Sequence, residues 1–267
     1  PEQVAGRAGA LHRDWPAYRR QSQAGQRAVR ERFSHRRHAE RVRELIGAPA
    51  GEPRRLRGPR QPDAARVLMI SSNGSGIGHL TRLLAMARRA PSGLEPIFLT
   101  LSRGIDLVRR HGFLVEHLPP APALELAPEQ WTPLIRARVS ALLASYDPRL
   151  VVFDGTVPYW GLVQAMREQP QRRFVWNRRA MWRPDSKSVG LERSRYFDAV
   201  IEPGELAAAA DRGPTVALRP TALQVEPMLL LEPDELLGRA AARRALGLDA
   251  AAPTFLIQLG AGNINRI

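Results

Sequence analysis

RVLMISSNGSGIGHLTRLLAMARRAPSGLEP, residues 66–96, is the stretch whose reading decides the fold. Val67 to Ile70 is an apolar run too short for a helix and bounded by turn formers, which predicts a buried strand. Gly74, Gly76 and Gly78 follow within five residues, and Leu80, Leu83, Leu84 and Ala87 then recur at helical spacing up to Pro91-Ser92-Gly93. Strand, glycine-rich turn and helix make the entry unit of a doubly wound α/β domain, in which a ligand can approach backbone N–H groups at the positive end of a helix. Gly76 and Gly78 are the candidate nucleotide-binding contacts of that turn, and Ser75 is its candidate substrate contact. His79, the first side chain after the glycines, belongs at the mouth of the crevice where the strand ends.

Working outward, strands are predicted near Ile97–Leu101, Phe113–Leu118, Leu150–Phe153, Phe174–Trp176 and Ala199–Ile201. Helices are predicted from Ile105 to about Arg110, over Glu129–Ser145 and over Trp160–Met166, with a proline-rich loop at Pro119–Pro128. The alternation predicts a parallel, Rossmann-like sheet over residues 66–225, buried on both faces, with ligands at its carboxyl edge. Residues 226–250 read as an interdomain helix and linker, the helix covering Asp234–Leu246. Thr254–Leu259 then reads as a new buried strand and Gly260–Asn263 as a second glycine turn, so residues 251–267 are expected to open a truncated second α/β domain. Upstream, residues 1–47 form a basic helical leader, with Ser34 as an N-cap, Ala39, Val42, Leu45 and Ile46 on one face, and Gly47 as the stop. Residues 48–65 are a linker of Pro, Gly and Arg.

The formal net charge of +14 does not mark a nucleic-acid protein. Residues 1–66 hold 16 Arg against 7 acidic residues, so most of the excess lies in the leader and linker. Aromatic residues are only 6% and do not interleave with the arginines as a stacking platform would, which argues against nucleic acid and leaves peripheral attraction to anionic lipid. Absence of cysteine excludes disulfides, thiolate zinc sites and thiol catalysis. No apolar run approaches the roughly 20 residues of a membrane helix, and no secretory signal is evident, so a cytoplasmic location, peripheral on the inner membrane face, is expected.

The glycine turn fits two familiar nucleotide sites poorly. In a dinucleotide fingerprint started by Gly74-Ser75-Gly76 the last glycine is replaced by His79, and the second strand leads into Ser102-Arg103 rather than an acidic residue. The Tyr-x-x-x-Lys of short-chain dehydrogenases is absent, because the one lysine is Lys187 and position 183 is Arg. A phosphate-binding NTPase loop needs a lysine that the turn lacks.

NGSGIGHLTRLLAMA (73–87) instead resembles the first loop of GT-B glycosyltransferases of families 1 and 28, which include the N-acetylglucosaminyltransferase that makes peptidoglycan lipid II. DPRLVVFDGTVPYWGL (147–162) resembles the phrase at their fourth strand, and RRALGLDAAAPTFLIQLGAGNIN (243–265) is similar to the opening of their donor-binding domain. The sequence departs at Arg82, where those families usually carry proline, and in a terminal glycine turn one small residue shorter. RAVRERFSHRRHAERVRELIG (27–47) resembles the closing helices of family 4 glycosyltransferases, which implies an upstream glycosyltransferase module.

The resemblance implies the acceptor half of an inverting glycosyltransferase that moves a sugar from a nucleotide-sugar, a UDP-sugar, to the hydroxyl of a lipid-linked or secondary-metabolite acceptor. Such a fragment would be inactive alone. Transfer needs a base, and a neutral imidazole at His79 suits that role, with a carboxylate to orient it; Asp154, closing a neighbouring strand, is the candidate. The residues alone also allow His79 as an exposed cap and Asp154 as a loop carboxylate capping the helix near Trp160. Backbone N–H groups would meet the leaving diphosphate, with Gly260, Gly262 and Asn263 as the first donor contacts. No cofactor is expected beyond the donor substrate, and no metal, since no Asp-x-Asp occurs. Trp176, Arg178 and Arg179, in a basic aromatic loop with Trp182 and Arg183, are candidate acceptor contacts or simply surface arginines with two half-buried tryptophans. Two rival functions use the same fold: a non-catalytic acceptor-binding or membrane-docking module, and a sugar-nucleotide epimerase.

Overall fold

The computed structural model describes residues 64–72 and 76–256, together with four exposed helical positions upstream, 16, 20, 23 and 24. The remainder of the expected leader and linker, and the glycine turn at 260–263, lie outside the described residues. The chain divides into two compact units, one of residues 35–230 with 263–267, the other of residues 1–34 with 231–262.

Within the first unit the chain alternates strands and helices: β1 (Ala65–Ser71), α1 (Gly78–Arg88), β2 (Leu94–Thr100), α2 (Ile105–Arg110), β3 (Leu114–His117), α3 (Pro128–Tyr146), β4 (Leu150–Asp154), α4 (Trp160–Arg167), β5 (Arg173–Asn177), β6 (Ala199–Pro203) and β7 (Leu223–Val225). The seven strands form one sheet in the order β3-β2-β1-β4-β5-β6-β7, and every pairing is parallel. This is the doubly wound, Rossmann-like arrangement expected from the sequence, with its order reversing between β1 and β4.

Alternation along the strands divides the core into two layers. Leu68, Ile70, Val151 and Phe153 face Trp131, Ile135, Val139 and Leu143 of α3 and Leu162 and Ala165 of α4. Val67, Met69 and Val152 face Leu80, Leu83, Leu84 and Ala87 of α1 and Val108 of α2. Both faces of the sheet are therefore apolar, which is why the strands read as continuous apolar runs rather than alternating ones. On α3, Leu134 is exposed, while Trp131 and Ile135 are buried against the sheet.

Two elements differ from expectation. β7 has only three residues, too few to register as an apolar run, and it joins the sheet edge by pairing Leu223 with Ile201. In the second unit the helix expected over Asp234–Leu246 is interrupted. A 3-10 turn at Pro233–Glu235 gives way to extended backbone at Leu236, and α5 (Arg239–Ala245) starts only after Gly238, whose ψ of 152° is also extended. No buried side chain holds either piece, so local backbone preference decides where the helix starts. Of the strand expected at 254–259, residues 254–256 are described and pair with no strand.

Candidate functional site

The sheet order reverses where β1 and β4 lie side by side, with Ser71 in register with Asp154. Strands on either side of that point send their connections to opposite faces, which opens a crevice at the carboxyl edge. Three segments meet there: the start of α1, the end of β4, and the end of β5, where Asn177 is in register with Asp154. Gly155 lets them approach, since a Cβ at that position would lie 2.4 Å from Phe153 Cζ and 2.8 Å from Ser72 Cβ.

Asp154 is fully buried and is held by three side chains. His79 Nδ1 lies 2.7 Å from Oδ1. Arg82 donates from Nη2 to Oδ1 at 2.6 Å and from Nε to Oδ2 at 2.9 Å, a two-point fork. Asn177 Nδ2 donates to Oδ2 at 2.5 Å and lies 3.6 Å from Met228 Sδ, while its buried Oδ1 has no partner among the described residues. His79 and Arg82 share one face of α1 because they are three residues apart, and both reach across to β4. A buried carboxylate without such partners would be costly, so the cluster makes Asp154 tolerable in the core as well as aligned.

The arrangement can carry proton-transfer chemistry. A carboxylate accepts hydrogen bonds and cannot donate them, so an imidazole nitrogen 2.7 Å from it carries the hydrogen. That leaves Nε2 with the ring's lone pair. The His79 side chain keeps 14% of its surface accessible, so the ring is not sealed inside the core. Gly76 is half-buried and Gly78 exposed at the rim, and Gly78, His79 and Leu80 form the first turn of α1, whose N–H groups have no acceptor within the helix.

The structure therefore brings His79 and Asp154 together as expected and adds two residues that the sequence did not single out as site residues, Arg82 and Asn177. Ser75, Gly260, Gly262 and Asn263 lie outside the described residues. Of the expected acceptor contacts at 176, 178 and 179, two are corrected. Trp176 is fully buried in the core, its Nε1 donating to Gly155 O at 2.9 Å. Arg178 is 1% exposed and ion-paired with the equally buried Glu202 at 2.9 Å, so its charge is spent inside the domain. Both residues belong to a strand end covered on both faces, which a loop reading of this stretch could not anticipate. Arg179 alone of the three is exposed.

Among the described residues no group of three or more His, Asp or Glu side chains could hold a metal ion, and no helix is long and apolar enough to cross a membrane.

No protein-family profile and no curated protein matches the chain. Several solved structures are similar to part of the chain. A glycosyltransferase from Rickettsia africae is similar at 10% identity over 72% of this chain and 52% of its own length, with a TM-score of 0.48. MurG from Acinetobacter baumannii is similar at 14% identity over 53% of this chain and 42% of its own, with a TM-score of 0.42. UDP-GlcNAc 2-epimerase from Neisseria meningitidis, solved with UDP-GlcNAc bound, is similar at 9% identity over 51% of this chain and 39% of its own, with a TM-score of 0.40. The chain thus spans about two-fifths to one-half of the length of these proteins.

Proposed function

We propose that this chain is the acceptor-side half of an inverting, metal-independent glycosyltransferase that takes its sugar from a UDP-sugar. The observation that carries the reading is the contact of His79 Nδ1 with the buried Asp154 carboxylate at the carboxyl edge, where the sheet order reverses. A hydroxyl placed against Nε2 gives its proton to the ring as its oxygen bonds to the anomeric carbon. The bond from that carbon to the diphosphate breaks in the same displacement, and the leaving group departs with the electron pair on the opposite face. Asp154 steadies the imidazolium so formed, the role a carboxylate plays in a Ser-His-Asp triad. Backbone N–H groups at Gly260, Gly262 and Asn263 would begin the diphosphate site, with the nucleotide pocket in a second domain. Ser75 and Arg179 would contact an acceptor, lipid-linked or a secondary metabolite, at a cytoplasmic or peripheral membrane site.

The test is His79→Ala in a full-length protein, assayed with UDP-sugar and acceptor. A kcat reduced by about a hundredfold or more is expected from loss of a general base, and a loss below about tenfold rejects His79 in that role. The same protein incubated with UDP-sugar alone separates the rivals. Epimerised sugar would replace the transferase reading with an epimerase, and absence of any donor binding would replace it with a docking module.

A further inference from the structure

Arg82 stands where the similar glycosyltransferase loops carry proline, and its guanidinium makes more contacts with the Asp154–His79 pair than any other side chain. We infer that Arg82 is a positioning residue for His79: by gripping both oxygens of Asp154 it sets the plane of the carboxylate, and thereby fixes the imidazole with its hydrogen on Nδ1 and its lone pair on Nε2. This rests on the reading of His79 as the base, and it adds the device that keeps that base in the usable tautomer.

The argument is one of counting donors. A carboxylate offers about four acceptor positions. Here Oδ1 is approached by His79 Nδ1 and Arg82 Nη2, and Oδ2 by Arg82 Nε and Asn177 Nδ2. Every position is taken by protein, so Asp154 has no capacity left for a substrate hydroxyl, and its effect on chemistry passes through the imidazole. The fork matters because a carboxylate held at one oxygen can still rotate about its bond to Cβ, whereas one held at both by a rigid, planar guanidinium cannot.

A second contact makes the tautomer a real choice. Arg82 Nη2 is also 2.9 Å from His79 Nδ1. Nη2 can only donate and Oδ1 of the carboxylate can only accept, so Nδ1 cannot satisfy both. With a hydrogen it bonds Asp154 and merely abuts Arg82. Without one it accepts from Arg82, abuts Asp154, and presents N–H instead of a lone pair at Nε2. Nη2 has two hydrogens and keeps its bond to Oδ1 with either tautomer, but a bare Nδ1 only 2.7 Å from Oδ1 would set two lone pairs against each other, so the hydrogen belongs on Nδ1. Among the described residues, the charged groups bonded to the ring are Arg82 on α1 and Asp154 on β4, the latter backed by Asn177 on β5.

Ring nitrogens labelled with 15N report the tautomer directly in this 267-residue chain, without donor or acceptor, which separates this inference from the transferase reading. Spectra are taken at alkaline pH, where the ring shifts no longer move with pH, and His79 is assigned by comparison with His79→Gln. The expected result is a single tautomer with a pyrrole-type Nδ1 and a pyridine-type Nε2. In Arg82→Ala that signature should give way to exchange between tautomers, and millimolar guanidinium should restore it. Arg82→Lys, which keeps the charge without the fork, should also lose it. A wild-type ring protonated on Nε2 overturns the inference, whether or not the variants fold. So does an Arg82→Ala or Arg82→Lys ring that keeps the wild-type pattern. If these signatures behave as expected while His79→Ala leaves transfer unaffected, the base assignment fails and the positioning role stands.

Discussion

Arg82 and Arg178 both hold buried carboxylates near the carboxyl edge, yet only one of them faces the crevice. The Arg82 side chain keeps 19% of its surface accessible and shares Asp154 with an imidazole, whereas Arg178 is 1% exposed and is committed to Glu202, which Arg219 also holds at 2.7 Å. Replacing Arg178 with Leu removes one partner of a buried pair and should lower stability by about 3 kcal/mol, the usual cost of an uncompensated buried charge. Arg219 still neutralises part of Glu202, so the domain should remain folded. Chemical unfolding reads this loss, and if Arg178→Leu instead weakened acceptor binding at unchanged stability, the residue would regain the contact role that its sequence context suggested. His79 and Asp154 were legible because position alone marks them, one following the glycines and the other closing an apolar run. Arg82 and Asn177 were not, because each acquires its meaning from a carboxylate 72 or 23 residues away. Trp176 and Arg178 were misplaced for the complementary reason. An aromatic and a cation at a strand end look alike whether the strand is at the rim or under a layer of loop.

Among the elements, α3 and α4 meet most tightly at Gly161, the second residue of α4. A Cβ there would lie 2.3 Å from Thr132 O and 2.6 Å from Ile135 Cγ2, and a backbone oxygen inside a helix cannot step aside as a side chain can. Gly161→Ala should therefore destabilise the domain by about 1–3 kcal/mol through forced separation of the two helices, although alanine is the better helix former. The midpoint of urea unfolding would fall, and an unchanged or raised midpoint would show that the helices can part at little cost. Ala165, one turn further on and fully buried, is the natural control, since Ala165→Gly there removes packing instead of adding it. The sequence announced both helices by their apolar spacing but gave no sign that this glycine is a contact point, because closeness between helices depends on the partner's backbone. The same limit explains β7 and the broken helix near Gly238. A three-residue strand is specified by the edge it joins, and a helix with no buried side chain by the local conformation of its first residues.

At the scale of the whole molecule, arginine is the dominant cation, and in the described domain much of it is used internally, bonded to carboxylates and to backbone carbonyls. The net charge read from the sequence could not reveal this, because counting charges does not show which are paired. A consequence is a defined response to acid. Burial works against the charged form of Asp211, but the N–H groups of Gly213 and Met181 and the Arg219 guanidinium outweigh it, holding the carboxyl below its usual range. At Asp198 burial is likewise outweighed, by the Phe174 N–H and by Arg173. A carboxylate whose folded value is depressed contributes stability that is complete above its unfolded value, about 3.9, and that is lost as pH falls through the folded value. Unfolding of the wild type and of Asp211→Asn should therefore differ by a constant amount from about pH 7 to about pH 5, and the two curves should converge below about pH 4, where the wild-type carboxylate begins to take up a proton. Urea midpoints measured at intervals across that range test the sign directly. A gap that widened toward acid would mean that Asp211 is easier to protonate in the folded protein than in the unfolded chain. The buried network around Arg219 would then carry an excess of negative charge, where it now pairs Glu202 and Asp211 with Arg178 and Arg219.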